Sequence, residues 1–497
     1  MPKQTALGVE TLQRDAAALF SFVDSIFLHC YQDSESAAYL EPSLRFFRFI
    51  RDLADATKAY LNAFPANPPR DQRLYQDYRQ KLETIRSGWF EFHLLIKSAV
   101  DADTLNVPYT LVEALTRRLN SIRRFEKTKF AIFHFDELNY LEIPVSEIKK
   151  TTDRLKRIIP DRPSFPADLG LIGIPYSQSS SLYLNTLISH EIGHFVFQES
   201  NLKDSLLPEI GKTLEQALGP QLLLQISSVN LEWSKDRLAS WAEELFCDLF
   251  ATWLVGPCYS LMFVELFGLT TILDPANPNG YTATAGSTIF SRSHPADLFR
   301  IKEQVLLLQK LLWWNEVDAI QSHYVDVLRS SISVHEKKFT FQTTEQGYAD
   351  ETLKALFNLA PHVRSLAADV MKDSTGSPLD CGVADYSRFG GLVGEYLGKA
   401  VSPSTVFDGK NHWYPNTITL LNASMKFYLQ SLEELMKGIK DQKTTLAGHR
   451  SRWIKRVESL TSKAIEDCHL LVAEKGALQV GSSFQRADLN SPESTDH

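Results

Sequence analysis

The feature that most constrains the fold is the pentapeptide His190-Glu191-Ile192-Gly193-His194. Histidines four residues apart share one face of a helix, where both imidazoles can reach the same metal ion. Glu191 then lies at the adjoining position, within reach of a water molecule on that metal. A chain that uses this motif must place it on a helix and bring a third ligand from elsewhere in the fold.

The third ligand is expected on an apolar helix about fifty residues further along the chain. Catalytic zinc usually has three protein ligands, and two histidines with one glutamate are a common set. The segment SWAEELFCDLFATWLVGP carries Glu244 and Asp248 four residues apart among Trp, Leu, Phe and Ala. Buried carboxylates need partners, and a metal for Glu244 with an imidazole N–H for Asp248 would supply them. Glu243, about 100° away around the helix, is the competing ligand.

The composition is that of a globular protein, and it excludes several classes. The chain has 44% hydrophobic and 23% charged residues, which is enough apolar material for a sizeable core. A net charge of -8 gives no electrostatic footprint for nucleic acid, so no nucleic-acid partner is expected. The five cysteines are scattered without CxxC spacing, which indicates neither disulfides nor a cysteine zinc site and favours a cytoplasmic location.

No segment of the sequence predicts insertion into a membrane. The N-terminus has charged residues where a signal peptide needs an unbroken apolar core. The longest uncharged stretch, residues 249–264, is shorter than the roughly 20 residues needed to span a bilayer. It also contains Gly256-Pro257 at its centre, and we therefore expect a buried helix and no integral membrane segment.

The hydrophobic rhythm predicts a mainly α protein with a small β-sheet, in the α+β class. Helical periodicity dominates from about residue 8 to residue 127, and Ile, Phe and Tyr bounded by Pro and Gly then predict short strands from residue 129. Helices return from residue 182 onwards. We predict a helical N-terminal region, a metal-binding core, a helical C-terminal region and a disordered tail, with the bounds 1–127, 128–310, 311–475 and 476–497.

HEIGH followed by EELFCDLFA resembles the gluzincin metallopeptidases, whose third ligand is a glutamate in an E-x-x-x-D helix. Ser293-His294-Pro295 with Arg300 is similar to an element of the CaaX-processing endopeptidase branch, and residues 244–257 are similar to the soluble branch that cleaves phage repressors and stress regulators. The resemblance covers only about residues 171–301. The transmembrane helices of the first branch are absent, and Cys247 stands where alanine is usual.

The resemblance implies a zincin-like core and zinc-dependent hydrolysis of a peptide bond in a protein or peptide substrate. Zinc would be held by His190, His194 and Glu244, with Asp248 orienting a ligand histidine. Glu191 would serve as the general base that accepts a proton from the attacking water. His294 or Arg300 would stabilise the charge that develops on the carbonyl oxygen; the alternative for this pair is an ordinary helix start after Pro295.

Two further hypotheses concern what the protein binds. Ile172, Gly173, Ile174 and Tyr176 are predicted to form an edge strand that an extended peptide could join by main-chain pairing. The alternative to an enzyme is a non-catalytic helical scaffold or regulatory interaction protein that keeps a zincin core for partner binding.

Overall fold

The structure of the protein is a computed structural model. It describes residues 12–26, 28, 41–63, 72–103, 109–135, 141–143, 145–159, 162–175, 180–272, 289–290, 294–333, 340–341, 349–373, 375–438 and 452–468. These residues are mostly helical with short strands, so the predicted mainly α class with a small sheet is confirmed. The predicted tail, 476–497, lies outside the described residues.

Contacts divide the chain into two compact units, residues 1–107 with 124–180 and residues 108–123 with 181–497. The domain boundaries drawn from the sequence stay predictions. No helix in the described part of the chain is both long enough and apolar enough to cross a membrane.

The first unit packs helices against a three-stranded sheet. Phe46 and Phe133 meet edge to face in this core, with ring centroids 5.2 Å apart, as aromatic pairs prefer. The sheet order is β1-β3-β2, with β1 parallel and β2 antiparallel to β3. The elements are α1 (12–26), α2 (Glu41–Asn62), α3 (Gln72–Asp103), β1 (Lys129–Phe135), β2 (Leu141–Glu142), α5 (Val145–Lys156) and β3 (Leu169–Pro175).

The prediction that this segment forms an edge strand is wrong. Ile172, Gly173 and Ile174 lie in β3, the middle strand, where β1 pairs along one side and β2 pairs at residues 172 and 173 on the other. All seven residues of β3 are buried, as expected for a strand whose two faces are covered. The fourth residue of the hypothesis, Tyr176, lies outside the described residues.

The second unit is almost entirely helical. It comprises α4 (Tyr109–Asn120), α6 (Ile188–Glu199), α7 (Leu202–Leu223), α8 (Ser228–Val255), α9 (Pro257–Ile272), β4 (Ile289–Phe290), α10 (Asp297–Lys310), α11 (Trp314–Asp318), α12 (His323–Ile332), β5 (Thr340–Phe341), α13 (Ala349–Val370), α14 (Val383–Gly398), β6 (Val406–Phe407), β7 (His412–Trp413), α15 (Thr417–Gly438) and α16 (452–468). Helix α8 is central to this unit, because α4, α6, α7, α9, α10 and α13 all contact it.

The uncharged stretch is buried, as predicted, but it folds as the end of α8 and the start of α9, with a sharp break between them. Gly256 ends α8 with φ +82°, a conformation that disfavours residues with a Cβ, and Pro257 begins α9. The Asn422 side chain braces the break, since its amide donates to Val255 O at 2.8 Å and its carbonyl accepts from Cys258 N at 2.7 Å. The chain therefore leaves the helical conformation here instead of continuing as one long apolar helix.

Candidate metal centre

The pentapeptide lies at the start of α6, which follows a 3-10 turn at Leu184–Leu187. Helix α8 crosses α6 at Gly193, where a Cβ would meet the Cα of Cys247 at 2.8 Å. Real Cβ atoms do not approach so closely, so only glycine permits this crossing. The close approach brings the histidines of α6 to the acidic residues of α8.

Both histidines face Glu244 through the same type of atom. Nε2 of His190 lies 3.4 Å from Oε2 of Glu244, and Nε2 of His194 lies 3.6 Å from Oε1. Tetrahedral zinc with bonds of about 2.0–2.1 Å separates neighbouring ligand atoms by about 3.4 Å. Each of the two distances is close to this separation, with His190 facing one oxygen of Glu244 and His194 the other. These three residues are the ligands predicted from the sequence.

One oxygen of Glu244 supports this fit. Oε2 is buried, and among the described residues it forms no hydrogen bond of favourable geometry. Its close neighbours are Nη2 of Arg300 at 3.3 Å and Nε2 of His190 at 3.4 Å. A buried carboxylate oxygen without a proper hydrogen bond is costly, and a cation bound between the histidines and Glu244 would satisfy it.

On its other side, His190 contacts a fully buried carboxylate. Nδ1 of His190 lies 3.0 Å from Oδ1 of Asp248, which has no exposed surface. The Arg300 guanidinium grips the same carboxylate, with Nε 2.6 Å from Oδ2 and Nη2 2.9 Å from Oδ1. Tyr259 donates its hydroxyl to Oδ1 at 2.6 Å. Such a carboxylate behind a ligand histidine orients the ring for metal binding.

The other histidine has its own carboxylate partner. Nδ1 of His194 lies 3.1 Å from Oε1 of Glu243. The sequence hypothesis considered Glu243 only as a rival metal ligand, whereas the structure places it behind the His194 ring, on the side away from Glu244. The two consecutive acids of α8 therefore contact different ring atoms. Glu244 faces Nε2 of both histidines, and Glu243 faces Nδ1 of His194.

The charges within this cluster are strongly coupled. Burial alone would lower the pKa of His190, but the neighbouring carboxylates of Asp248 and Glu244 outweigh it and raise that pKa to about 10. Burial would raise the pKa of Asp248, yet the Arg300 charge and the His190 hydrogen bond hold it at about 2. The pKa of Glu244 is lowered in the same way, against burial, by His190 and Arg300. The site is therefore a set of compensating ions that metal binding must rearrange.

Cys247 is a further possible ligand at this site. His190, His194 and Cys247 can each offer one ligand atom, all within 4.8 Å of one another. Burial raises the pKa of the Cys247 thiol well above its usual value, and the carboxylates of Glu243 and Glu244 raise it further. A metal must have the thiolate rather than the thiol. Cys247 is thus an alternative to Glu244, the third ligand predicted from the sequence.

The remaining predicted residues lie around this cluster. Glu191 is buried on α6, and its charge contributes to the raised pKa of His194. Nε2 of His294 lies 3.5 Å from Oε1 of Glu244, and its side chain is 52% exposed. Arg300 is only 3% exposed, with Nε and Nη2 bonded to Asp248. His294 thus stands at the open side of the cluster, and Arg300 within it.

Tyr259 and the position of Glu243 behind His194 were not anticipated from the sequence. Tyr259 follows the Gly256-Pro257 break on an apolar helix, where a buried hydroxyl requires a partner. The sequence therefore indicates that the Tyr259 hydroxyl has a hydrogen-bond partner, but it does not identify which residue that partner is.

Comparisons with known proteins add no family assignment. No protein-family model matches the sequence, and neither a curated protein nor a solved structure matches it. The functional interpretation is therefore based on the motif and on the geometry of these side chains.

Proposed function

We propose that the protein is a zinc-dependent peptidase with His190, His194 and Glu244 as metal ligands. One observation carries the proposal: both Nε2 atoms face Glu244, while each Nδ1 atom faces a separate carboxylate. Imidazoles that act as ligands typically have this arrangement, since a hydrogen bond at one nitrogen leaves the other free for the metal. The resemblance to gluzincins supplies the reaction class.

Glu191 is the general base in this proposal. It follows His190 on α6, and the residue is buried. It would accept a proton from the attacking water and return it to the departing amine. Zinc, when bound, polarises the substrate carbonyl and lowers the pKa of water.

His294 is the residue best placed to meet a substrate. Its ring is half exposed and lies beside Glu244, at the cluster's open side. Burial lowers the pKa of His294, so the ring is neutral at physiological pH and can donate a hydrogen bond from one nitrogen. We assign it the stabilisation of negative charge on the carbonyl oxygen.

The test combines metal analysis with a single isosteric change. Purified protein should contain about one zinc per chain, measured by elemental mass spectrometry. In a peptide-library cleavage assay, Glu191→Gln should keep the zinc and lose about 10²–10⁴-fold in rate, because only the proton acceptor is removed. Glu199→Gln, at the other end of α6, is the matched control and should cleave at the wild-type rate.

Other outcomes separate the alternatives. Protein that binds zinc but cleaves no peptide in the library would favour the non-catalytic scaffold. Equal cleavage by wild type and Glu191→Gln would remove Glu191 as the base. Stoichiometric zinc in the His190→Ala/His194→Ala double variant would place the metal elsewhere.

A further inference from the structure

The carboxylate of Asp248 is held from three directions by three other helices. His190 on α6, Tyr259 on α9 and Arg300 on α10 all place donors on it, at 3.0, 2.6 and 2.6–2.9 Å respectively. A carboxylate torsion is ordinarily broad, so Asp248 alone would not fix its own orientation. Donors on three separate helices hold the Asp248 carboxylate in a single orientation.

Arg300 connects the two acids of α8. Its Nη2 lies 2.9 Å from Asp248 and 3.3 Å from Glu244, and its guanidinium packs over the Phe263 ring with Cζ 4.8 Å from the centroid. Burying this cation requires paired anions, which the two carboxylates supply. The planar fork binds Asp248 through two nitrogens, a geometry that lysine cannot reproduce.

Tyr259 adds a second hydrogen-bond acceptor beside Nδ1 of His190. The hydroxyl has one proton, and the shorter contact directs it to Asp248 at 2.6 Å, so its oxygen faces Nδ1 of His190 at 3.3 Å as an acceptor. Nδ1 therefore faces two acceptors, Asp248 Oδ1 and the Tyr259 oxygen. Both favour a hydrogen on Nδ1, which leaves Nε2 as the nitrogen that faces Glu244.

We propose that Tyr259 and Arg300 are positioning residues that lock Asp248 so that His190 keeps Nδ1–H and presents Nε2 to a metal. This inference depends on the proposed metal site, but not on peptide hydrolysis. It assigns Arg300 to the support of the ligands rather than to the developing oxyanion, because Nε and Nη2 of its guanidinium are bonded to Asp248.

The decisive variant is Tyr259→Phe, which removes one hydroxyl and leaves the ring packing. Tyr386→Phe on α14, another buried tyrosine outside the cluster, is the matched control. Zinc affinity is measured by chelator competition, and the His190 Nδ1–H is observed by proton NMR of zinc-loaded protein with ¹⁵N-labelled histidine. Tyr259→Phe should weaken zinc binding by about 10-fold and shift the Nδ1–H resonance with faster solvent exchange. Tyr386→Phe should change neither.

Arg300→Lys tests the second residue under the same measurements. It keeps the positive charge, so the buried carboxylates stay paired, but it loses the bidentate grip. Zinc affinity should fall by about 10–100-fold, with the same change in the Nδ1–H resonance. If that variant does not fold, Tyr259→Phe alone decides the matter.

Different results would reject the positioning role of Tyr259 and the proposed peptidase activity. Wild-type zinc affinity and an unchanged Nδ1–H resonance in Tyr259→Phe would overturn the positioning role even in an active peptidase. Wild-type protein that binds zinc and cleaves nothing, while Tyr259→Phe shows the predicted losses, would support the positioning role and reject the peptidase.

Discussion

The half of the site around His190 differs from the half around His194 in how its supporting carboxylate is held. Asp248 is fully buried and is also bonded to Tyr259 and Arg300, whereas the Glu243 side chain behind His194 is 26% exposed. A dry, fully bonded carboxylate fixes its histidine rigidly, but its loss leaves a buried arginine with a broken pairing. A carboxylate open to water can be replaced by solvent. The carboxylate that supports the histidine is therefore rigidly held in the His190 half, whereas water can replace it in the His194 half.

The largest expected loss of zinc affinity follows from removing either histidine, because each half of the site then lacks or retains its ligand regardless of how the supporting carboxylate is held. His190→Ala and His194→Ala should each lower zinc affinity by more than the ~100-fold that the loss of a supporting partner can cost, because a ligand itself is gone. Chelator competition on each purified variant measures this. Retention of wild-type affinity by either variant would remove that histidine from the ligand set.

Replacing each supporting carboxylate by its isosteric amide tests whether the two halves of the site differ in this way. Asp248→Asn should weaken zinc binding by about 100-fold, since it removes a charge that Arg300 and His190 both require. Glu243→Gln should cost about 10-fold or less, because water and the amide oxygen can still accept from Nδ1 of His194. Parallel zinc titrations measure both. A larger loss in Glu243→Gln would show that the exposed half dominates.

Gly193 lies between the two histidines, so its replacement should affect both halves at once. Gly193→Ala places a methyl group 2.8 Å from the Cα of Cys247 and must separate α6 from α8. We expect a loss of about 1–3 kcal/mol in the free energy of unfolding, with weaker zinc binding. Urea denaturation gives the first quantity. Gly211→Ala, where nothing lies within 4 Å of the new Cβ, is the control and should not be destabilising.

The smallest effect concerns Asp297, in the first turn of the helix that carries Arg300. Burial raises its pKa to about 6, although Arg300 opposes the shift. A raised acid pKa means that the folded state favours the protonated form, so the contribution of Asp297 to stability is greatest below about pH 4 and is lost as the pH rises through 6. Asp297→Asn should remove about 1–2 kcal/mol of that decline. Urea unfolding of wild type and variant at pH 4.5 and 7 measures it, and parallel curves would contradict the assignment.

Local sequence patterns predicted the mainly helical fold and much of the candidate site. Two histidines four residues apart, and two acids four residues apart, need only the periodicity of a helix to share a face, and His190 does contact Asp248. The middle position of β3 could not be predicted, because strand order depends on pairing with β1 and β2. Tyr259 was missed for a similar reason, since its partner is set by the packing of α9 against α8.

The break at Gly256-Pro257 has a consequence for distance along the chain. Residues 248 and 259 are eleven positions apart, which in an uninterrupted helix would place them on nearly the same face but about 16 Å apart along the axis. The break instead lets the Tyr259 hydroxyl lie 2.6 Å from Oδ1 of Asp248. One residue inserted after Pro257 would turn position 259 by about 100° around α9 and point the hydroxyl away. The spacing between the acid helix and this tyrosine is thus as restrictive as the spacing within HEIGH itself, although no short sequence motif records it.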